Sequence, residues 1–203
     1  MAWLRVMLIA GPAVILAALG PSHPDDLTPA TAGWWTTLHL ILLVLFPLLG
    51  VSLWLLLEGL TGPIAWLGRA GAVSYIAFYT ALDVLAGVGA GTLVQRGFAP
   101  DSPAVDAMFE TGNDLAIIGT ISFLIAAQAT GAALVIGVDR RFWPGAVILV
   151  AASVPFLYSH IYWPVGVLTL IGLAAGLGLL AWGTRARPSG EQATAPGAAG
   201  TGW

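Results

Sequence analysis

Cysteine and lysine are both absent from the 203 residues, and charged residues make up only 8% of them. The lack of cysteine excludes disulfides, thiolate metal sites and cysteine nucleophiles. All seven basic residues are arginines, they form no basic cluster and the net charge is −3, so no nucleic-acid partner is expected. Because a soluble domain carries about 25% charged residues, this composition argues against a soluble protein.

The chain is instead rich in long apolar segments, with 58% hydrophobic residues and a mean hydropathy of +0.90. About 20 consecutive apolar residues are enough to cross a bilayer as a helix. We therefore predict an all-α, polytopic membrane bundle of six transmembrane helices, formed by residues 3–19, 34–59, 71–95, 112–138, 143–160 and 165–183. These helices make up a transmembrane domain over residues 1–184.

The two ends of the chain need separate interpretation. The tail 185–203 is rich in Gly, Ala, Ser and Pro, which predicts a disordered cytoplasmic segment. The charged start and short apolar run of the first segment also fit a signal peptide. Its cleavage site is poor, so we favour a retained helix.

Arginine placement predicts the orientation. Six crossings put both termini on one side, and the alternation of loops places six of the seven arginines there too: Arg5, Arg69, Arg140, Arg141, Arg185 and Arg187. Positive residues concentrate in cytoplasmic loops. Both termini are therefore predicted to be cytoplasmic, in a multi-pass protein of the cell membrane, with a bacterial inner membrane as the simplest location.

The third segment carries a carboxylate in the middle of an apolar helix. At about 100° per residue, Tyr75, Tyr79 and Asp83 share one face with two glycines. A charge at the centre of a membrane helix is costly and usually faces a bundle interior or a wet cavity. We predict that Asp83 points inward, close to the midplane of the membrane.

Depth brings further polar residues into the same half of the membrane. At about 1.5 Å per residue, His39, Asp114 and His160 lie in the outer half of three other helices. The simplest arrangement is a polar funnel that opens outward and ends on Asp83. Glu58 lies instead at the inner rim.

The candidate site residues divide by chemistry. Those predicted to transfer protons are Asp83, Asp114, His39 and Glu58. Those predicted to contact substrate are Tyr75, Tyr79, Tyr158, His160, Gln128 and Trp54.

Several of these residues also have a purely structural interpretation. Asp114, beside Asn113, fits an N-cap of the fourth helix. Gln128 fits a contact between helices, and Trp54 fits a lipid-facing position. Glu58 fits an ion pair with Arg69 or a solvent contact. His23 is interpreted as a loop residue without a role.

The preferred function is an integral membrane enzyme that applies acid–base chemistry to an apolar, lipid- or isoprenoid-like small molecule, such as an isomerase or a cyclase. Asp83 is the buried acid, and tyrosine rings stabilise a developing cation. This hypothesis uses no metal and no cofactor. Its partners are the lipid bilayer and the substrate, and it leaves the oligomeric state open.

Two alternatives remain. A small proton- or cation-coupled transporter fits the midplane acid, although the absence of an internal repeat argues against it. A bis-His haem protein fits His39 and His160 at matching depth, and a metal site fits the same pair with Asp114. Motifs for nucleotide binding, HExxH metalloproteases and GxSxG hydrolases are all absent from the sequence.

Overall fold

The computed structural model of the chain describes residues 2–184, and this part of the chain is helical without any strand. Six of its segments are long and apolar enough to cross a membrane, which confirms the predicted fold class. The spans are Trp3–Ser22, Ala32–Leu56, Pro63–Gln95, Pro103–Gly137, Arg140–Ser159 and Val165–Thr184.

The helices are numbered in chain order. They are α1 (Ala2–Leu19), α2 (Ala32–Leu56), α3 (Pro63–Gln95), α4 (Pro103–Gly137), α5 (Trp143–Ser153), α6 (Phe156–Ser159) and α7 (Val165–Thr184). α3 is continuous, but its middle part, Asp83–Gly89, is π-helical. Short 3-10 turns, Gly20–Ser22 and Arg140–Phe142, follow α1 and precede α5.

Two helices begin earlier than hydropathy predicts. α3 starts at Pro63 rather than at residue 71, and α4 starts at Pro103 rather than at residue 112. Proline suits a first helical turn, because its fixed φ is helical and its missing N–H is not needed there. Asn113 and Asp114 therefore lie inside α4, and the N-cap interpretation of Asp114 is wrong.

Glycines set how closely the central helices approach. A Cβ on Gly71 would lie 2.9 Å from the Ser122 carbonyl oxygen of α4. A Cβ on Gly119 would lie equally close, at 2.9 Å, to the backbone nitrogen of Tyr79 in α3. Small residues at such points let membrane helices pack backbone to backbone. α3 and α4 are therefore closely packed against each other in the bundle.

An aromatic layer fills the centre of the bundle. Phe46, Tyr75, Tyr79, Phe123 and Phe156 are almost completely buried. Neighbouring rings have centroids 4.8 to 6.2 Å apart, the range that aromatic pairs prefer. The Tyr75 hydroxyl also donates to the Phe46 carbonyl at 3.1 Å, which fixes that ring within the layer.

Arginines tie the helices together at the end of the bundle where α1 begins. Arg5 donates to the Glu58 carboxylate at 3.0 Å, and Arg69 donates to two carbonyls just after α2 at 2.7 and 2.8 Å. Arg141 donates to the Gly183 carbonyl at 3.1 Å. The structure thus places these arginines at one end, as the loop pattern predicts. The predicted tail, 185–203, lies outside the described residues.

Candidate metal centre

Three histidines meet at the end of the bundle opposite the arginines. His23 lies in the turn after α1, His39 lies near the start of α2, and His160 directly follows α6. One ring nitrogen from each lies within 4.8 Å of the other two. These are all three histidines of the sequence, so the fold collects every imidazole of the chain at one point.

The Nδ1 atom of each imidazole has a hydrogen-bond partner. Nδ1 of His23 and Nδ1 of His39 each bond a backbone carbonyl at 2.7 Å. Since a carbonyl only accepts, both Nδ1 atoms carry the proton and both Nε2 atoms keep a free lone pair. Nδ1 of His160 bonds the Tyr79 hydroxyl at 2.7 Å. Metal-binding imidazoles are oriented in this way, with the second nitrogen held by an outer partner.

The triangle of nitrogens is close to the size that a metal ion needs. Nitrogens no more than 4.8 Å apart lie within about 2.8 Å of a common centre, and Zn–N bonds are about 2.0–2.1 Å long. Side-chain movements of less than about 1 Å therefore bring all three nitrogens to bonding distance. A tetrahedral ion held by these three residues would have its fourth position open.

Burial favours the neutral form of the two histidines that lie outside the spans. Burial lowers the pKa of His23 below its usual value, and the hydrogen bond to the Pro24 carbonyl offsets part of this shift. Burial lowers the pKa of His160 well below its usual value, and the neighbouring His39 and His23 lower it further. A neutral imidazole is the form that binds a metal. These rings therefore need not lose a proton to bind one at neutral pH.

α3 approaches the histidines so closely that no side chain fits between them. A Cβ on Gly87 would overlap the imidazole of His39. Trp35 stacks on that imidazole with centroids 5.0 Å apart, and its Nε1 donates to the Ala86 carbonyl at 3.1 Å. Ala86 and Gly87 belong to the π-helical segment, and π-bulges are frequent at functional sites.

His160 has a backbone conformation that is uncommon for any residue with a side chain. Its φ is +41°, in the left-handed region, and it ends α6. Such conformations cost about 1–3 kcal/mol and occur often at functional sites. The ring stacks on Phe46 with centroids 5.1 Å apart, which joins the histidine cluster to the aromatic layer.

Asp83 is completely buried, which agrees with the predicted inward orientation. Neither of its carboxylate oxygens has a hydrogen-bond partner within the described part of the chain. Asp83 lies about one turn from Tyr79 and one turn from Gly87, and each of these contacts a histidine of the cluster. A cavity of about 220 Å³ borders Tyr79 and His160 but is not lined by Asp83, so the predicted funnel does not reach this residue there.

The structure brings together only part of the predicted site. His39, His160 and Tyr79 are in the cluster, with Asp83 adjacent along α3 and Tyr75 deeper in the aromatic layer. These residues come from α2, α3 and the loop after α6. Their assembly supports the prediction that polar groups converge in one half of the bundle.

The remaining candidates lie away from the cluster. Four have exposed side chains: Asp114, Gln128, Tyr158 and Trp54. Tyr158 still borders the 220 Å³ cavity beside His160. Glu58 lies at the arginine end, where it pairs with Arg5 rather than with the expected Arg69. Exposure and distance along the bundle separate these residues from the histidines.

His23 belongs to the cluster, although the sequence predicts a loop residue without a role at this position. Its ring is buried, with centroids 5.0 Å from Trp35, 5.2 Å from His39 and 4.5 Å from Tyr162. One signal was available in the sequence. His23 follows the first span at the outer end, the level at which His39 and His160 were already placed.

Together, the fold and the site define a helical bundle of six potential membrane spans with a largely buried three-histidine cluster near one end. No protein-family model, curated protein or solved structure matches the chain.

Proposed function

We propose that the protein is an integral membrane metalloprotein that binds one divalent transition-metal ion of the zinc class through His23, His39 and His160. The observation that carries this proposal is the approach of three ring nitrogens to within 4.8 Å, with each Nδ1 held by an outer partner. Imidazole ligands suit zinc, copper, nickel and iron, whereas magnesium and calcium prefer oxygen.

The number of ligands favours a catalytic centre over a structural one. Structural zinc sites are closed by four protein ligands, whereas catalytic sites have three and keep a position for water or substrate. No other metal-binding side chain joins the three histidines within residues 2–184. A metal of this class lowers the pKa of a coordinated water to about 7, which makes the water a nucleophile at neutral pH.

Asp83 supplies the acid–base group in this proposal. A carboxyl group that reached such a water could accept the proton that the water loses on attack and return it to the leaving group. Its complete burial, its lack of a partner and its place one turn from Tyr79 and Gly87 support this role.

The substrate class in this proposal is a lipid-like small molecule with a hydrolysable polar head. The cavity of about 220 Å³ is bordered by His160 and Tyr79 on its inner side and by the exposed Tyr158 and Asn113. Ile117 and Leu157 give it an apolar wall. A molecule lying among lipids can present its head here while its chain remains in the bilayer.

The geometry favours a single metal ion over a bis-His haem. The rings of His39 and His160 are nearly parallel, at 10°, with centroids 6.1 Å apart. The ring of His23 lies 5.2 and 5.8 Å from them. A haem iron held by two histidines needs the whole macrocycle between them, and the third imidazole lies close to both rings.

Metal loading of the purified protein in detergent tests the proposal. Co²⁺ substitutes for Zn²⁺ and reports its coordination through visible absorption bands. We expect one metal per chain, a four-coordinate spectrum, and a change in that spectrum when azide, used as a small probe, enters the open position. An azide-insensitive spectrum would contradict the catalytic role.

Single substitutions show whether the metal occupies the histidine cluster. Replacing each histidine in turn by alanine should weaken binding by more than the roughly 10- to 100-fold that loss of an outer partner costs. Tyr158→Ala is the matched control, since Tyr158 is exposed at the same end of the bundle. Equal binding by the histidine variants and the control would contradict the proposed site.

A further inference from the structure

One face of α4 repeats like the seam of a coiled coil. Residues spaced alternately by three and four positions are exposed or half-exposed along this face, although Val135 at its end also packs against the core. They are Ile118, Ile121, Ile125, Gln128, Ala132 and Val135. A repeat of this period keeps one stripe facing a partner helix over several turns. Lipid contact alone does not require such a period.

Gln128 is the one polar residue of this seam, and it is exposed within the apolar span. It lies nine residues before the end of α4 at Gly137, which is about 14 Å along the helix axis. Its amide has no hydrogen-bond partner within residues 2–184. Because lipid cannot satisfy an amide, such groups normally bond to a neighbouring helix.

A groove lies beside this seam, between α4 and α5. Its volume is about 520 Å³, and apart from Gln128 its lining is formed almost entirely by apolar side chains such as Trp143 and Val147. Gly131 and Ala132 line the α4 side of the groove, and their small side chains leave its space unfilled. The groove has room for side chains of a second helix at the level of residues 128–136.

We propose that this seam joins two copies of the chain into a symmetric dimer, with Gln128 of one copy hydrogen-bonded to Gln128 of the other. Two copies with the same orientation in a membrane are related by an axis along the membrane normal, so their α4 helices run parallel. Each seam residue then faces its own counterpart. An amide is both donor and acceptor, and therefore pairs with an identical amide.

Cysteine cross-linking in membranes tests the geometry, and the cysteine-free sequence makes each single variant unambiguous. Ile121→Cys, Ile125→Cys and Ala132→Cys should form covalent dimers on mild oxidation. The matched control is Leu168→Cys, because Leu168 is 61% exposed on α7, away from the seam. Cross-linking of the control as strongly as the seam variants would overturn the proposal.

A second measurement isolates the amide. Energy transfer between labelled copies in vesicles, diluted with lipid, gives the dissociation constant of the dimer. Gln128→Leu should raise this constant roughly 3- to 30-fold, as expected for loss of a polar contact between membrane helices. Gln128→Asn keeps the amide and should restore most of the affinity. An unchanged dimer in Gln128→Leu would show that another contact holds the copies together and would overturn the proposal.

Discussion

The hydroxyl of Tyr79 lies 2.7 Å from Nδ1 of His160, a residue 81 positions further along the chain. This contact joins the central span, α3, to the loop that carries the third histidine. It constrains the orientation of the His160 imidazole within the cluster. Outer partners of this kind commonly determine how well a histidine binds metal.

Tyr79→Phe removes this contact while keeping the ring in the aromatic layer. We expect metal affinity to fall roughly 10- to 100-fold, because the imidazole of His160 loses the group that orients it. Competition with a chromophoric chelator measures the change. Tyr75→Phe is the control, since that hydroxyl bonds the Phe46 carbonyl and no histidine. Equal affinities in the two variants would mean that the Tyr79 hydroxyl plays no part in metal binding.

Gly87→Ala tests the contact between α3 and the histidine cluster. The added methyl group would overlap the His39 ring, so the ring must turn away from its partners. We expect metal binding to be lost or strongly weakened, together with a lower melting temperature. Gly11→Ala in α1 has no heavy atom within 4 Å of the added carbon and should behave like the wild type. Full metal affinity in Gly87→Ala would show that the ring position matters little.

Asp83→Asn separates catalysis from metal binding. The amide has nearly the same shape as the carboxyl group but cannot take up the proton, so the metal should still bind while turnover falls. A loss of about 100-fold or more is expected for removal of a general acid–base group. Hydrolysis of a medium-chain p-nitrophenyl ester by the metal-loaded protein is the measurement. Unchanged hydrolysis would exclude Asp83 as the proton-transfer group.

Arg69 is expected to matter for stability rather than for the metal. Its guanidinium donates to the carbonyls of Leu57 and Leu60 and stacks on Trp66 with a separation of 4.9 Å. Arg69→Met leaves these carbonyls without a charged donor, at a cost of about 2–4 kcal/mol. Thermal unfolding in detergent measures this.

Arg96→Met at the opposite end is the control for the Arg69 variant. Arg96 is exposed, so its replacement should change stability by less than about 0.5 kcal/mol. Similar melting temperatures for the two variants would contradict the structural role assigned to Arg69.

The parts of the fold that were predictable from the sequence depend on local pattern. Hydropathy is a property of each segment alone, so all six spans were found. Asp83 was predicted to be buried because a charge in a long apolar helix rarely faces lipid. The depths of His39 and His160 followed from counting residues along their helices.

The features that could not be predicted from the sequence depend on contacts between segments that are far apart in the chain. Nothing local distinguishes His23 from an ordinary loop residue, since its burial arises from Trp35 and Tyr162. The glycine-rich sequence after Asp83 is compatible with an α-helix, and only packing against α2 and α4 selects the π-helical turn. Gln128 was predicted to contact substrate, but its side chain is exposed, because hydropathy gives depth along a helix and not the direction of a side chain.

X-ray absorption spectroscopy of the zinc-loaded protein tests the central claim most directly, because it reads the atoms bound to the metal without requiring a substrate. We predict about three nitrogen neighbours at about 2.0 Å with the multiple-scattering pattern of imidazole, and one further light atom from water. A metal shell made only of oxygen atoms, or an imidazole signal that is undiminished in each of His23→Ala, His39→Ala and His160→Ala, would contradict the three-histidine centre.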